Sequence, residues 1–393
     1  MKKSTAQWLP LLFLFSLSVS VKSQQPGSID TTFGYPKIAF GDSSRFGSFG
    51  SPKAMIIQPD GKFIVAGSFD NYNGAVRSGI VRIKTDGRVD ENFVVATGFN
   101  TGTPKVLALQ SSDQKIIAAG DFTTYNNAPR KNIVRINNDG TLDNTFIVGA
   151  GFNQPVNDVA IQSDGKIIVA GNFTQYDGMP RRYIARLNTD GSLDTTFSTT
   201  GTGLSGNVLC IALDPATGKI ILGGNFWEYN GISRQHIAVL NNDGSLDTVF
   251  TPPSIGFDAA VDYLQLQPDG RILAAGGFYH YNLVACSNVV RLNTNGSMDN
   301  SFSMPGYSGN TIIGMKLISG GKVIVISGYP VSRMLRVNSD GSSDSTFNPD
   351  AAWNSNLFQG IAMGIQPDDK TVVAGTFESF DGIRRNEIGR AHV

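Results

Sequence analysis

The chain has 393 residues, no formal net charge, 16% charged and 40% hydrophobic residues, and 45 glycines. The lack of any Lys/Arg cluster excludes nucleic-acid binding, which needs a basic footprint. Abundant glycine with enough apolar residues for a large core points to turn-rich β structure rather than helices.

In chain order, the first element is a targeting segment. Lys2 and Lys3 precede an apolar stretch from Trp8 to Val21, and Val21-Lys22-Ser23 offers a small-residue cleavage site. Residues 1–23 are therefore expected to be a secretory signal peptide, with the mature chain starting near Gln24. The stretch is shorter than the ~20 residues of a membrane-spanning helix, and no other segment could span a bilayer. The mature protein is expected to be water-soluble and secreted or held at the cell surface.

From residue 28 a repeat sets in. A basic residue recurs at Lys62, Lys115, Lys166, Lys219, Arg271, Lys322 and Lys370, at intervals of 48 to 53 residues. An aromatic follows each at the same distance: Phe69, Phe122, Phe173, Phe226, Phe278, Tyr329 and Phe377. A period of roughly 40–50 residues with several strands per unit is the mark of a propeller.

The third unit is the cleanest. Val156–Gln162 reads as a first strand, and Ser163-Asp164-Gly165 as a tight turn whose Asp-Gly takes positive φ. Lys166–Phe173 is the second strand. Its core of Ile167, Ile168, Val169 and Ala170 does not alternate with polar residues, so both faces are covered by neighbouring blades. Gly171 admits a close backbone, and Phe173 fills the wedge between blades. After a loop containing Tyr176-Asp177-Gly178, Tyr183–Asn188 is a third strand and Ser192–Phe197 a short fourth. Four strands per unit is the content of a propeller blade.

The fourth-strand signature, Asp three residues before Phe, ends at Phe33, Phe93, Phe146, Phe197, Phe250, Phe302 and Phe347. The first copy precedes any complete unit and the last unit has none after it. The N-terminal strand, Ile29–Phe33, is therefore expected to pair near Ile388–Arg390 and close the ring, which leaves no open edge.

The repeat, QxDGKIIVAGNFxxYxGxxRxxIxRLNxDGSLDxTF, runs through Gln162–Phe197 almost letter for letter. It resembles the delta-60 repeat, a β-propeller repeat of exported bacterial proteins, over about Ser28 to Arg390. The resemblance implies a propeller and export, but no known reaction or catalytic residue. Some relatives carry a C-terminal sorting domain.

Two units depart from the pattern. The fifth has Tyr279-His280-Tyr281-Asn282 and lacks the loop arginine; the sixth lacks the Tyr-x-Gly loop and passes from Tyr329 to Val331-Ser332-Arg333. An irregular ring is expected there. At the C-terminus, Ile388 and Arg390 fall at repeat positions. The string Ile388–Val393 is also what a common sequencing adapter encodes in one frame, with Glu387 fitting the bases before it. Residues 387–393 are accordingly expected to be adapter read-through on a truncated chain, the match at Ile388 and Arg390 being coincidence.

Chemistry is sparse. Cys210 and Cys286 lie at different places in different units, which speaks for small apolar residues rather than a disulfide. His236, His280 and His392 form no ligand pattern. The Asn-x-Asp-Gly-x-x-Asp strings, such as Asn188–Asp194, lack the closing carboxylate of a calcium loop and read as turns. No metal or cofactor is expected. The repeated lysines are expected to lay their stems along the strand with the amine in water. Arg77, Arg130, Arg181, Arg234 and Arg385 read as loop braces.

The blade-to-blade loops carry Phe99, Phe152, Phe257, Tyr307 and Trp353, on the face shared with the second–third loops. These five are the candidate ligand contacts, stacking on a glycan or gripping a peptide. The competing reading makes them plugs of the channel mouth. The sequence thus predicts an all-β, seven-bladed propeller with four antiparallel strands per blade, spanning residues 28–390 as one domain. Its expected role is a non-enzymatic binding or interaction module for a glycan or a protein or peptide. The alternatives are a glycan-processing or other hydrolytic enzyme, and a structural spacer of a larger surface protein.

Overall fold

The structure is a computed structural model of the chain. It describes residues 26, 28–30, 33, 50–197, 202–251, 255–304, 311–328, 333–347, 361–375, 377, 379–380, 383–384 and 388–391. The expected signal peptide, 1–23, lies outside them.

Seven antiparallel sheets follow one another along the chain, each with its strands in chain order from the inside outwards. In blade 3 these are Val156–Ile161, Ile167–Gly171 and Ile184–Leu187. The second strand is wholly buried in all seven blades apart from a terminal residue in blades 1 and 4. An apolar run without alternation thus has neighbours on both faces, because adjacent blades stack on it. Ile168 and Ala170, for instance, pack with Val208, Ile220 and Leu222 of blade 4. Each first strand lies against the first strands of the blades on either side, and that of blade 1 lies against that of blade 7. The sheets therefore form a ring around a central channel.

Ring closure uses the N-terminal segment. The Asp30 amide donates to the Arg390 carbonyl at 2.8 Å, and the Arg390 guanidinium donates to Asp30 Oδ2 at 3.1 and 2.8 Å. The same guanidinium lies 4.7 Å from the Phe33 ring centroid. Within blade 3, the Asp194 amide donates to the Arg186 carbonyl in the same way, and Arg186 lies over Phe197. The leading residues of the chain therefore supply the seventh blade with what every other blade takes from its own fourth segment. Ile388 is fully buried, pairing with Ala374 as Ile184 pairs with Ala170.

The fourth strand is slighter than the sequence predicts. It joins the third through a single bridge, such as Leu187 with Leu193. Around that bridge two amide bonds join the segments, Asn188 to the Ser192 carbonyl at 2.8 Å and Asp194 to the Arg186 carbonyl at 2.9 Å. Gly171 is needed where it stands: a Cβ there would lie 2.4 Å from the carbonyl oxygen of Pro155, the residue before the first strand.

A second feature went unread in the sequence. The Tyr-x-Gly loops are two-stranded hairpins, as in Gln175–Tyr176 with Met179–Pro180. Tyr72, Tyr125, Tyr176, Tyr229 and Tyr281 on them are fully buried. Each donates its hydroxyl to the carbonyl of the glycine in its own blade's outer turn, Tyr176 to Gly191 at 2.6 Å.

The repeated lysines are also not free in water. Lys166 Nζ is 2.8 Å from Asp194 Oδ2, which Arg186 Nε reaches at 2.7 Å. Burial alone would push the Asp194 carboxyl up, but hydrogen bonds from Lys166, Thr196 and Arg186 outweigh it and hold it well below the usual range. Arg186 also donates to the Asn242 carbonyl of the next blade, so the node ties neighbours together.

Candidate functional site

The first strand begins, and the second ends, at the hairpin side of the ring. That side therefore gathers the blade-to-blade loops, the hairpins and one channel mouth. The other side holds the Asp-Gly turns. Their carboxylates are occupied: Asp190 Oδ1 accepts from the Ser192 amide and hydroxyl at 2.9 and 2.6 Å, and Asp194 Oδ1 from Thr196 likewise. The turn reading of the calcium-like string accounts for every one of those contacts.

Of the five predicted ligand contacts, Phe99, Phe152 and Phe257 are buried. Phe152 lies with its ring centroid 4.3 Å from Phe173 and 4.4 Å from Tyr176, and Phe257 repeats this with Phe278 and Tyr281. They fill the wedge between blades under the hairpins, so these three rings offer no face to a ligand and do not plug the channel. The physical reason is the hairpin, which folds over the loop that carries them; the Phe152–Tyr176 bridge fixes it there. Tyr307 and Trp353 lie outside the described residues.

What the hairpin face does expose is a crest of large apolar side chains on neighbouring blades. Met179 stands on blade 3, Trp227 and Ile232 on blade 4, and Tyr279, Leu283 and Val284 on blade 5. Trp227 and Tyr279 occupy one register position, directly after the Phe that ends the second strand, where blades 1 to 3 have Asp70, Thr123 and Thr174. They are 53% and 51% exposed. Trp227 leans on His236, ring centroids 5.0 Å apart. The His236 ring is buried, which pulls its pKa down, and its Nδ1 lies 3.0 Å from the Gly224 carbonyl oxygen.

Leu283 is the odd member. It sits at the tip of its hairpin with φ of 67° and is 77% exposed. At that turn position blades 1, 3 and 4 use Gly74, Gly178 and Gly231, and blade 2 uses Asn127. A leucine in the left-handed region carries a steric cost that glycine and asparagine avoid. Beside it, Asp258 Oδ1 accepts from the Tyr279 and His280 amides at 2.9 and 3.0 Å, and Asp258 Oδ2 lies 2.8 Å from His280 Nδ1.

Charged side chains stand on the first strands: Asp158, Asp262, Lys316, Lys53 and Lys105. Asp158 on blade 3 accepts from the Ile211 amide of blade 4 at 2.7 Å. Burial among the first strands pushes its carboxyl up to about 6, against the pull of the Ile211 and Val159 amides and of Lys316. Burial also raises Asp262 to about 6 and lowers Lys316. Both side chains reach water in the channel while protein surrounds them on every side, so their charges are only partly solvated. Lys53 is lowered by the same burial and by Lys105, which pairs with Asp121 at 2.9 Å.

Cys210 and Cys286 are free thiols, the first buried and the second half-buried. No three His, Cys, Asp or Glu side chains among the described residues are placed to share a metal ion. No helix among them is long and apolar enough to cross a membrane. Arg77, Arg130, Arg181 and Arg234 each donate to the carbonyl of the residue before them, Arg181 to Pro180 at 2.7 Å, and Arg77 also pairs with Glu91 at 2.7 Å; Arg385 lies outside the described residues.

A profile described as the domain of unknown function DUF5122 β-propeller matches residues 58–93, 111–146, 162–197, 216–250, 267–302, 316–347 and 366–390. Among solved structures, a chain from the crystal structure of a mitotic checkpoint complex superposes with a TM-score of 0.57 at 11% identity, covering 95% of this chain and 98% of that one. The extracellular domain of BT4673 from B. thetaiotaomicron, titled a one-component system, gives 0.52 at 13% identity. A second structure of it, titled a hybrid two-component system, gives 0.54 at 15%. These two cover 92% of this chain, which spans 42% and 43% of theirs. Identities this low show the fold alone. No curated protein matches the chain.

Proposed function

Because the chain belongs to the DUF5122 β-propeller family, we propose that it is an exported, non-enzymatic binding module whose ligand docks on the hairpin crest of blades 3 to 5. The observation that carries this is Leu283. A leucine held at positive φ and displayed to solvent, where sister hairpins use Gly or Asn, is strain that the fold does not require. Strain of this kind accumulates where a side chain is shown to a partner.

Trp227 and Tyr279 supply flat aromatic faces, and the His280–Asp258 pair supplies directional polar groups beside them. That combination suits the apolar faces and hydroxyls of a glycan, or a peptide with aromatic or aliphatic side chains. Phe152 and Phe257 act beneath the crest, seating the hairpins from below. Export rests on the leader-like segment at 1–23 and on the delta-60 character of the repeat, and secretion or surface display follows from it.

The test is a glycan and peptide array probed with the secreted propeller and with Trp227→Ala and Tyr279→Ala variants. Binding by the parent that falls at least tenfold in both variants is expected. A parent that binds nothing, or variants that bind as well as it does, would overturn the reading.

A further inference from the structure

On the turn side of the ring, five blades follow their first strand with a glutamine: Gln58, Gln110, Gln162, Gln267 and Gln366. In four of them the side-chain amide crosses to the following blade. Gln58 Nε2 donates to Asn138 Oδ1 at 2.9 Å, and Gln162 Nε2 to Asn242 Oδ1 at 2.7 Å. Gln366 and Gln267 reach turn carbonyls instead, those of Gly61 at 3.2 Å and Gly321 at 3.5 Å. The two asparagine oxygens have a second donor. Arg82 Nη1 reaches Asn138 Oδ1 at 3.1 Å, and Arg186 Nη1 reaches Asn242 Oδ1 at 3.3 Å.

Gln110 is the exception. Thr189 of blade 3 stands at the position of Asn138 and Asn242, and it brings no amide oxygen. Arg135 Nη1 still donates to the Thr189 carbonyl, but the oxygen that should lie between it and Gln110 Nε2 is missing. The Gln110 side chain is 6% exposed, and its Oε1 is buried without a hydrogen bond. A buried amide left in this state is costly and calls for an explanation. Beside it a cavity of about 710 Å³ opens between blades 2 and 3, and the structure describes every residue of its lining. Between blades 5 and 6, where Ser339 takes the asparagine position, a smaller cleft of about 330 Å³ opens beside Gln267.

We propose that the cavity between blades 2 and 3 binds a neutral sugar, one of whose hydroxyl oxygens takes the place of the missing asparagine oxygen. That place offers two donors, Gln110 Nε2 and Arg135 Nη1, so its occupant must accept hydrogen bonds, which an amine or a metal ion cannot do. The rest of the lining asks for donors. Asp164 and Asp190 each turn one oxygen to their own turn, accepting from the Lys166 amide at 3.0 Å and the Ser192 amide at 2.9 Å, and keep the other for a ligand. No cation is left to hold an anion: Arg135 and Lys115 pair with Asp143 and Lys166 with Asp194. A hydroxyl both accepts and donates, and a sugar carries several on one frame. Leu109, Ile161 and Pro215 give its C–H groups apolar surface, and no aromatic ring lines the cavity to stack on a flat ligand. The volume lies within the range of small-molecule sites. This site is on the face opposite the hairpin crest, so either can stand if the other fails.

The test titrates the full chain with maltose, cellobiose and lactose, followed by calorimetry and saturation-transfer NMR. Saturable binding of at least one is expected, and spermidine, calcium and inorganic phosphate should not compete with it. Thr189→Asn supplies the oxygen that Asn138 and Asn242 supply to the neighbouring interfaces. It should weaken the sugar at least tenfold and, by giving Gln110 its partner, raise the melting temperature of the free protein. Gln110→Leu removes the amide at similar volume and should weaken the sugar about fivefold, the loss of one hydrogen bond. Trp227→Ala, on the crest, should leave this binding unchanged. Failure of all three sugars to bind would overturn the proposal, as would competition by spermidine, calcium or phosphate. So would undiminished binding to Thr189→Asn or to a folded Gln110→Leu variant, or binding that Trp227→Ala abolishes.

Discussion

The Lys–Asp–Arg node makes an unequal prediction for its two buried members. In blade 3, Asp194 is 3% and Arg186 5% exposed. The substitution Asp194→Asn leaves the Arg186 guanidinium in the interior without its carboxylate, and breaking a buried pair from that side costs about 3–5 kcal/mol. Arg186→Val is different, because Asp194 keeps Lys166 at 2.8 Å and the Thr196 amide and hydroxyl at 2.9 and 2.6 Å. Blade 4 is built this way already: Val239 stands where the arginine would be, and Asp247 is held by Lys219 at 2.6 Å. Losing the guanidinium's contact with the Phe197 ring and its bond to the next blade should cost about 1–2 kcal/mol. The double variant should cost less than the two singles together, since no charge is then stranded. Urea unfolding with an unchanged m-value reads these differences from the midpoints. If Arg186→Val destabilises as much as Asp194→Asn, lysine does not sustain the carboxylate and the reasoning fails.

Stability should peak in mild acid. Donors hold Asp90, Asp143, Asp194, Asp247, Asp299 and Asp344 below their ordinary values against the opposing effect of burial. Their contribution is complete above about pH 4 and disappears as pH falls through the lowered values. Asp158, raised to about 6, acts oppositely: the folded state takes up its proton first, so stability is gained as pH falls from 7 towards 4. Thermal midpoints measured from pH 8 to 2.5 should rise and then drop. Asp158→Asn should lessen the slope of the upper limb, Asp262 keeping its own share, and add about 1–2 kcal/mol at pH 7, and an unchanged upper limb would refute the assignment. Leu283→Gly should relieve about 1 kcal/mol of left-handed strain, raising the melting temperature while weakening ligand capture at the crest; a variant both stabler and fully competent to bind would remove Leu283 from the site. Ile388 is fully buried and Arg390 bonds Asp30, so ring closure demands an apolar residue and an arginine there. Resequencing the locus should recover those residue types at 388 and 390 whatever the origin of 387–393, and a polar residue at 388 would contradict the closure.

The blades were legible because turn, apolar run, glycine and aromatic are all local signals. Gly171 and the Asp-Gly turns could be placed from one unit alone. Closure was legible from an imbalance, one Asp-x-x-Phe string too many at the start and one too few at the end. What escaped were contacts between parts of a unit. Lys166 meets Asp194 across most of its unit, and Tyr176 meets Phe152 from a hairpin that resembles an ordinary loop in sequence. Reading Tyr176-Asp177-Gly178 as an ordinary loop leaves Phe152 and Phe257 with nothing over them, and so they read as ligand contacts. The crest did leave a trace. Aligning the units at the residue after Phe173 shows Trp227 and Tyr279 against Asp70, Thr123 and Thr174. A departure from the repeat, rather than the repeat itself, marks what is particular to this chain.

The clasp between Asp30 and Arg390 joins groups 360 positions apart in the chain. The Asp30 half is made 360 residues before its partner and has nothing to hold until the strand carrying Arg390 arrives. Until then the growing polypeptide is an arc with two sticky ends. The hoop shuts only once the strand carrying Arg390 has been made, so a product stopped short of it would remain an open arc, exposed to pairing with its own kind.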